Sequence, residues 1–432
     1  MLDVDSEDVE QYFRRQQRKL EGLRREAKIY FSATLNRGQI AHLALLFDIA
    51  FVSHNNADGS IVKEPFLVME WASARPHNTL KAWMQFNSVS QHGLQERLSL
   101  AIQMFSGLVE LHRGGHHPKT DAAAFEGSLP LFVHQDIKPA NMLLFGHGQK
   151  GSGPFRLALT DFGLSACYNG ASVEAACGGG TRAFMAPEQW LGMPARTPGR
   201  DIWAAGMVLA KLFAGASTSK ALRHYNIFCN QVWPRNTTSN DIIKKFHLSA
   251  VNIAHAMKQD GTQRPVSRLS CVQQAIAPLL QKCFRVGREL GGAMFAGFAR
   301  PTSSQCEEFL KTIWQDTLGF PSWDIYHTRL PRPQPTALQQ QLQCRGPHNL
   351  AFFYLNHMEV GMLTMMLRQC ERLLAKVDSR DRPIVEKQIL SLRQQLRKTD
   401  VNAKLHLKKA REHVLTASNE RQVNNIWSCL RA

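Results

Sequence analysis

The stretch HQDIKPANMLLF, residues 134–145, and the later LTDFGLS, residues 159–165, carry the strongest signal in this 432-residue chain. The apolar segments NMLLF and FRLAL, with a glycine-rich turn between them, predict an antiparallel hairpin. Such a hairpin returns Asp161 to the side of Asn141, and Asp136 lies five residues before Asn141. Phosphoryl transfer requires a carboxylate that accepts a hydroxyl proton and two oxygen ligands for Mg²⁺, and these three residues have that chemistry.

Three further motifs follow in a fixed order: GTRAFMAPEQW at 180–190, DIWAAG at 201–206 and ARPTSSQCEEFL at 299–310. Together with HQDIKPAN and the DFG at 161–163, they resemble the eukaryotic protein kinase family, whose catalytic loop reads H-R-D-x-x-x-x-N. One such motif alone is more often a turn or a capped strand end. Five motifs in the family's order make the resemblance specific, and it covers roughly residues 12–318.

The resemblance implies a role for each residue of the catalytic loop. Asp136 would be the catalytic base, Lys138 the cation beside the transferring phosphoryl group, and Asn141 and Asp161 the Mg²⁺ ligands. Lys138 two residues after the aspartate, with Thr181 in the GTRAFMAPE segment, resembles serine/threonine kinases rather than tyrosine kinases. The expected cofactors are therefore ATP and Mg²⁺, and the expected acceptor is a protein serine or threonine hydroxyl.

The resemblance also implies an adenine site at the stretch FLVMEW, residues 66–71. Backbone groups of Glu70, Trp71 and Ala72 would meet adenine at the hinge. Met69 would be the gatekeeper and Leu143 would form the floor beneath the base. An apolar residue at position 69 is equally compatible with plain core packing, so the gatekeeper role depends on register alone.

Residues around the catalytic loop would support it. The family's DxWxxG aspartate, here Asp201, anchors the backbone of the catalytic loop. Its APE glutamate, here Glu188, pairs with an arginine, here Arg300. The full set of expected supporting residues is Glu26, His134, Phe162, Gly163, Glu188, Asp201 and Arg300.

The opening helix comes too early for the family's order. Apolar residues at steps of three and four predict an amphipathic helix within residues 7–35, where Glu26 takes the position of the αC glutamate. Tyr30 on the same helix would stack with His134 and Phe162. In the family, a Gly-rich strand pair and a strand-borne lysine precede αC, and neither precedes this helix. We expect either an incomplete product of a longer gene or a degenerate kinase, and the intact catalytic residues favour the first.

Other departures leave the motifs intact. Gln135 stands where many kinases carry the arginine that receives an activation-loop phosphate, and glutamine cannot pair ionically with phosphate. The stretches 113–130 and 145–155 have the glycine, proline and small-residue content of inserted loops.

These features predict an α+β, protein-kinase-like two-lobed fold with a truncated N-lobe, a mainly helical C-lobe and a C-terminal helical tail. Alternating runs predict two strands joined by a turn over 43–71, and the pattern from about 79 to 112 predicts helix. The predicted domains are a truncated N-lobe at 1–72, the C-lobe at 73–320, a Pro/Gln-rich linker at 321–345 and a basic helical tail at 346–432.

The formal charge of +17 is concentrated near the C-terminus, because residues 372–432 contain 14 basic and 6 acidic side chains. Such a tail suits an anionic or helical protein partner through 346–432, and nucleic acid is not required. Two apolar seams at helical spacing favour packing within the tail over a partner-binding coiled coil. The seams are Leu363, Leu367, Cys370, Leu374, Val377 and Val385, Ile389, Leu392, Leu396.

Several protein classes are excluded. Nine scattered cysteines without a CxxC pair do not fit a zinc ribbon or a disulfide framework. The acidic N-terminus does not fit a signal peptide, and no apolar run is long enough for a membrane span. We expect a cytoplasmic location, with the nucleus as the alternative. The alternative functions are a pseudokinase scaffold for protein partners and a small-molecule kinase, which the APE and DxWxxG motifs disfavour.

Overall fold

The fold is described from a computed structural model of the chain. It describes residues 42–44, 46–55, 61–70, 77–86, 93–112, 131–146, 154–168, 179–192, 197–231, 237–262, 267–286, 300–331 and 382–415, residues 26, 72 and 74, and parts of 360–379. The chain divides into two compact units. The first contains Met1–Arg37, Leu45–Glu70 and Gln334–Ala432, and the second contains Gly38–Ala44 and Trp71–Pro333. The predicted domain boundaries stay predictions.

Two strands form the described sheet of the first unit. β1 (Leu46–Asn55) pairs antiparallel with β2 (Ile61–Met69), from Leu46↔Met69 to Asn55↔Ile61. This pairing confirms the two strands predicted over 43–71. Of the predicted opening helix, Glu26 alone lies among the described residues, where it is helical and partly buried, and Tyr30 lies outside them.

The second unit is mainly helical, as predicted for the C-lobe of an α+β kinase-like fold. The helical pattern at 79–112 is interrupted, because two helices form there and Gly93, with φ +102°, directly precedes the second. Glycine adopts this backbone conformation without the clash that a side chain would cause. The elements are α1 (Leu80–Phe86), α2 (Leu94–His112), β3 (Leu131–Val133), β4 (Met142–Phe145), β5 (Arg156–Leu159), β6 (Ala166–Tyr168), α3 (Pro187–Trp190), α4 (Gly199–Leu212), α5 (Ala216–Cys229), α6 (Ser239–Thr262), α7 (Arg268–Cys283), α8 (Ser303–Thr312) and α9 (Trp323–His327).

Helix α4 lies in the centre of this unit. Its sequence is apolar around most of its circumference, and nearly all of its side chains are buried. A helix of this kind needs neighbours on every side, and α2, α5, α6 and α7 all contact it. A Cβ on Gly206 would lie 2.9 Å from the Cβ of Cys283, so glycine is what lets α4 and the end of α7 approach closely.

The predicted hairpin around the catalytic loop is confirmed. β4 pairs antiparallel with β5, from Met142↔Leu159 to Phe145↔Arg156. Both of its edges are extended, because Leu43 forms a parallel bridge to Leu159 and Thr79 an antiparallel bridge to Leu143. β3 pairs with β6 in a separate antiparallel sheet, so the segments before the catalytic loop and after the DFG run side by side.

The tail contains a long helix, α10 (Arg382–Leu415), with Pro383 in its first turn. The two predicted apolar seams pack against each other in one cluster. Its buried members are Leu363, Met366, Cys370, Val385, Ile389 and Leu392, and its partly buried members are Leu367, Leu374 and Leu396. Among the described helices, none combines the length and the apolar character needed to cross a membrane.

An enclosed ion pair joins Glu188 of α3 to Arg300, three residues before the start of α8. The Arg300 guanidinium donates to both carboxylate oxygens of Glu188, at 2.5 and 3.0 Å, and both side chains are fully buried. Arg300 also donates to the carbonyls of Gly199 and Arg285, at 2.9 and 2.8 Å. Burial alone would raise the pKa of Glu188, but the charge of Arg300 and its hydrogen bonds to the carboxylate, together with smaller contributions, outweigh burial, and the pKa lies below its usual value.

Removing one partner of this pair should cost much stability, because the other charge is left buried without compensation. We expect Arg300→Ala to lower the free energy of unfolding by about 3–5 kcal/mol, measured by urea denaturation at pH 7. The difference in stability from wild type should shrink as the pH falls from about 4.5, the usual pKa of glutamate, toward the lower pKa of Glu188 in the folded protein. Over this range Glu188 becomes protonated and loses the charge that pairs with Arg300. Arg223→Ala, at an exposed position of α5, is the matched control. Equal stability of the two variants would contradict the assignment.

Candidate active site

The catalytic loop is held by a buried carboxylate. Asp201, in the first turn of α4, is 1% exposed and accepts the backbone N–H groups of His134 and Gln135, at 2.7 and 2.9 Å. The Nε2 atom of His112 lies 3.0 Å from the same carboxylate. Gln135 has φ 68°, so the loop turns sharply through the left-handed region at this point. Asp201 thus accepts hydrogen bonds from two buried backbone N–H groups that, because of the turn, have no strand or helix partner.

Asp136 follows this turn and sits in a dense set of donors. Its Oδ2 accepts the Lys138 Nζ at 2.5 Å and the Asn141 Nδ2 at 3.2 Å. Its Oδ1 accepts both the backbone N–H and the Oγ1 hydroxyl of Thr181, at 2.9 Å each. Burial raises the pKa of this carboxyl, but the hydrogen bonds from Lys138 and Thr181 outweigh burial and the net pKa lies below its usual value. The geometry keeps Asp136 as a carboxylate at neutral pH.

Asn141 and Asp161 are brought together by the hairpin. The Thr160 N–H donates to the carbonyl of Asn141 at 3.0 Å, which places Asp161 one residue beyond the paired segment. The Asn141 amide nitrogen donates to the backbone oxygen of Asp136 at 3.0 Å, so the amide oxygen of Asn141 points away from that carbonyl. Asp161 is exposed.

These groups fit the magnesium site that the family implies. An amide oxygen and a carboxylate are hard oxygen donors, which Mg²⁺ prefers, and Mg²⁺ needs few protein ligands because it keeps several waters. Within the described ranges, no group of three or more His, Cys, Asp and Glu side chains could hold a metal ion. The candidate pair therefore suits a hard cation shared with phosphate oxygens, and the Mg²⁺ roles stay predictions.

The DFG segment packs on the catalytic loop. Phe162 is fully buried, and its ring centroid lies 5.1 Å from that of His134. The His134 Nε2 lies 3.0 Å from the carbonyl of Thr160. Gly163 is the middle residue of the short 3-10 turn Phe162–Leu164. The stacking of His134 with Phe162 is thus observed, and the third predicted member of the spine, Tyr30, lies outside the described residues.

Two glutamines connect the loop to the activation segment, and sequence reasoning missed both contacts. The Gln135 side chain donates to the carbonyl of Leu164 at 2.7 Å. The Gln189 side chain donates to the carbonyls of Gln135 and Gly179, at 2.6 and 2.8 Å. The glutamine at position 135 therefore makes a neutral link to the DFG segment. No pattern in the sequence indicates that the residue after the APE motif reaches back to the catalytic loop.

The predicted adenine residues are divided between the two units. Met69, at the end of β2, and Glu70 lie in the first unit and are partly buried. Ala72 and Leu143 lie in the second unit, also partly buried, and Trp71 lies outside the described residues. The Leu144 N–H donates to the carbonyl of Asn78 and the Ala74 N–H donates to the carbonyl of Leu144, at 3.0 and 3.2 Å, so residues 74 and 78 are hydrogen-bonded to β4. The adenine roles stay predictions.

Comparison with known proteins identifies relatives of this chain. The family profile described as "Protein kinase domain" matches residues 18–317. The chain is 26% identical over 195 residues to serine/threonine-protein kinase SSN3 of Phaeosphaeria nodorum, 29% over 197 residues to cyclin-dependent kinase 7 of Caenorhabditis elegans, and 24% over 268 residues to the probable serine/threonine-protein kinase PknB of Corynebacterium glutamicum. The matches cover 44%, 40% and 60% of this chain, and 38%, 53% and 35% of those relatives.

The role of Asp201 can be tested in the backbone itself. Asp201→Asn leaves one acceptor oxygen for three donors and turns an NH₂ group toward one of them. We expect the amides of His134 and Gln135 to exchange with solvent at least tenfold faster, measured by NMR hydrogen exchange, because a buried unsatisfied donor costs about 1–3 kcal/mol. The matched control is Asp316→Asn, at an exposed position. Unchanged exchange at both amides would show that Asp201 is not the anchor.

Proposed function

The chain belongs to the protein kinase family, and from that premise we propose that it transfers the γ-phosphoryl group of ATP to serine or threonine hydroxyls of proteins. The observation that carries the proposal is the environment of Asp136, a buried carboxylate that four hydrogen bonds fix in position and keep ionised. The ATP and acceptor classes are inferred from the family and from the loop residues.

Asp136 has the properties of a general base. A substrate hydroxyl that approaches the carboxylate can donate its proton to an oxygen as its own oxygen bonds to phosphorus. Thr181 donates its hydroxyl to this carboxylate at 2.9 Å, and this contact supports the proposal that Asp136 can accept a hydrogen bond from an alcohol. The proton acceptor must be unprotonated at the working pH, and the lowered pKa of Asp136 meets that requirement.

Lys138 and the metal pair supply the positive charge. The Lys138 ammonium lies 2.5 Å from Asp136 and keeps 23% of its side chain exposed, so it can contact an incoming phosphate without leaving the carboxylate. Asn141 and Asp161 would hold Mg²⁺. When bound there, Mg²⁺ would neutralise phosphate oxygens and orient the transferring group.

The serine/threonine preference is supported by two residues of the site and by the relatives. Thr181 and Lys138 both contact the catalytic carboxylate, and this combination resembles serine/threonine kinases. Two of the relatives, SSN3 of Phaeosphaeria nodorum and PknB of Corynebacterium glutamicum, are named as serine/threonine-protein kinases. A protein acceptor is supported by the buried Glu188–Arg300 pair, which holds α3, and by Thr181, which lies against Asp136 in the same described stretch 179–192.

The proposal is tested by isosteric changes in the carboxylates. We expect Asp136→Asn to lower the rate of ³²P transfer from ATP to a serine/threonine peptide mixture by roughly 10²–10⁴, the contribution of a positioned base. Asp161→Asn should lower it comparably and raise the Mg²⁺ requirement. Asp316→Asn should behave as wild type.

Circular dichroism must show that all three variants are folded. If folded wild type transfers no more label than folded Asp136→Asn, the chain is a pseudokinase scaffold and the proposed activity is wrong. Label on a small molecule in place of the peptide would favour the small-molecule kinase.

We also propose that α10 docks an acidic amphipathic helix of a partner protein. Leu390, Val401 and Leu405 are 66%, 63% and 47% exposed and recur at intervals of eleven and four residues, which places them on one helix face. That face is opposite the seam that packs in the tail cluster. The exposed Arg397 lies on it between Leu390 and Val401. Apolar side chains within a basic face complement an acidic amphipathic helix, whereas a second copy of α10 would be repelled.

A synthetic probe tests this surface without knowledge of the partner. The probe is a fluorescein-labelled peptide designed as an amphipathic helix, with Leu on one face and Glu on the other. We expect it to bind the full chain, with an affinity that falls as the salt concentration rises. The double variant Leu390→Ser/Val401→Ser should weaken binding roughly tenfold, about 1.4 kcal/mol. Leu248→Ser, at an exposed apolar position of α6, is the control. Anisotropy that is unaffected by the double variant would exclude this face as the docking surface.

A further inference from the structure

A pair of histidines, one buried and one partly buried, lies outside the catalytic loop. His42 is 2% exposed, and its Nδ1 lies 3.0 Å from the carbonyl of Leu157 in β5. Its Nε2 lies 3.1 Å from the Nε2 of His327, which is 285 residues later in the chain. The backbone N–H of His42 donates to both carboxylate oxygens of Glu110, at 3.1 and 3.3 Å. Every polar group of His42 that faces the interior therefore has a partner.

The direction of each hydrogen bond follows from what its partner can do. A carbonyl only accepts, so the Nδ1 of His42 carries the hydrogen in its bond to Leu157. A neutral His42 then has a bare Nε2, which accepts, so the Nε2 of His327 must donate. Burial lowers the pKa of His42 to about 3, which keeps the ring neutral. His327 can play its part in either protonation state, because its Nε2 carries a hydrogen in the cation and in one neutral tautomer.

His327 is presented by a rigid segment that follows the helices of the kinase match. The family match ends at residue 317, and His327 is the last residue of α9. Aromatic rings fix this segment, since the Trp314 ring lies 5.3 Å from Trp323 and 4.7 Å from Tyr326. The Trp314 indole also donates to the carbonyl of Pro321 at 2.7 Å. Contacts within its own segment therefore hold the helix that carries His327, in addition to the contact with His42.

His42 is connected to the candidate metal ligands through β5. The Leu159 N–H donates to the carbonyl of His42 at 2.8 Å, and the Ala44 N–H donates to the carbonyl of Leu159 at 2.8 Å. The next N–H, of Thr160, donates to Asn141, and Asp161 follows. A shift of residues 42–44 would therefore move the strand end that carries Asp161.

We propose that His327 is a positioning residue, which through His42 holds β5 so that Asp161 stays beside Asn141. This role would make the segment 318–331 part of the catalytic apparatus, although the segment lies beyond the family match. The expected effect on activity rests on the proposed kinase function. The expected effect on the backbone of β5 does not rest on it.

The experiment compares three variants of the full chain. His327→Leu removes the donor, His327→Gln retains an N–H donor at the position of Nε2, and His255→Leu is a control at an exposed position of α6. We expect the amides of Leu159 and Thr160 to exchange at least tenfold faster in His327→Leu than in wild type, while His327→Gln and the control match wild type. Amides of α4 should be unchanged in all three. If His327→Leu matches wild type, or His327→Gln is as fast as His327→Leu, the proposal is overturned.

A second variant covers the outcome in which His327→Leu opens the whole unit. His42→Asn keeps a donor for Leu157 but is too short to reach His327. It should accelerate exchange at Leu159 and Thr160 while α4 stays protected, and wild-type exchange in this variant would overturn the proposal.

Activity supplies an independent readout. In His327→Leu the Mg²⁺ concentration for half-maximal phosphoryl transfer should rise about tenfold while KM for the peptide is unchanged, and His327→Gln should restore it. An unchanged Mg²⁺ requirement would overturn the positioning role. If wild type transfers no phosphoryl group, the kinase proposal fails, and the exchange data still decide whether His327 holds β5.

Discussion

The buried carboxylate of Asp201 is the constraint on which the catalytic loop depends. It accepts two consecutive backbone N–H groups and faces His112, at distances of 2.7 to 3.0 Å. The loop could not turn through the left-handed conformation at Gln135 inside the protein if these donors were left without acceptors. Because α4 is packed on all sides, Asp201 cannot move to accommodate the loop. The buried helix α4 therefore fixes, through Asp201, the position of the loop that carries Asp136.

From this anchor, contacts extend in two directions. Toward the hairpin, Asn141 connects Asp136 to the end of β5, and His42 and His327 hold the far side of that strand. Toward the activation segment, Thr181 reaches the catalytic carboxylate and Gln189 reaches the loop backbone. The Glu188–Arg300 pair then fixes the end of the segment to the core. Each of these connections is a hydrogen bond or ion pair between buried or partly buried groups.

Features that depend on local pattern could be predicted from the sequence. The β4–β5 hairpin, the β1–β2 pair and the apolar seams of the tail were readable because alternation and helical spacing state directly which side chains face inward. The motif order supported the Glu188–Arg300 pair, which the structure shows. Features that depend on distant residues could not be predicted. Nothing near His42 indicates that a ring 285 residues later would complete its hydrogen bonds. The break between α1 and α2 was missed because Gly93 alone marks it.

The environment of Asp136 contains opposed electrostatic effects, and their balance decides whether the account is right. Burial raises the pKa of the carboxyl, whereas Lys138 and Thr181 lower it. The most direct measurement is a ¹³C NMR titration of aspartate side chains in the folded chain, with the Asp136 resonance assigned by its loss in Asp136→Asn. The account predicts a pKa below the ordinary value of about 3.9, rising when Lys138→Met removes the cation. A pKa at or above the ordinary value would contradict it, because Lys138 and Thr181 would then not stabilise the charged form of Asp136 against the effect of burial.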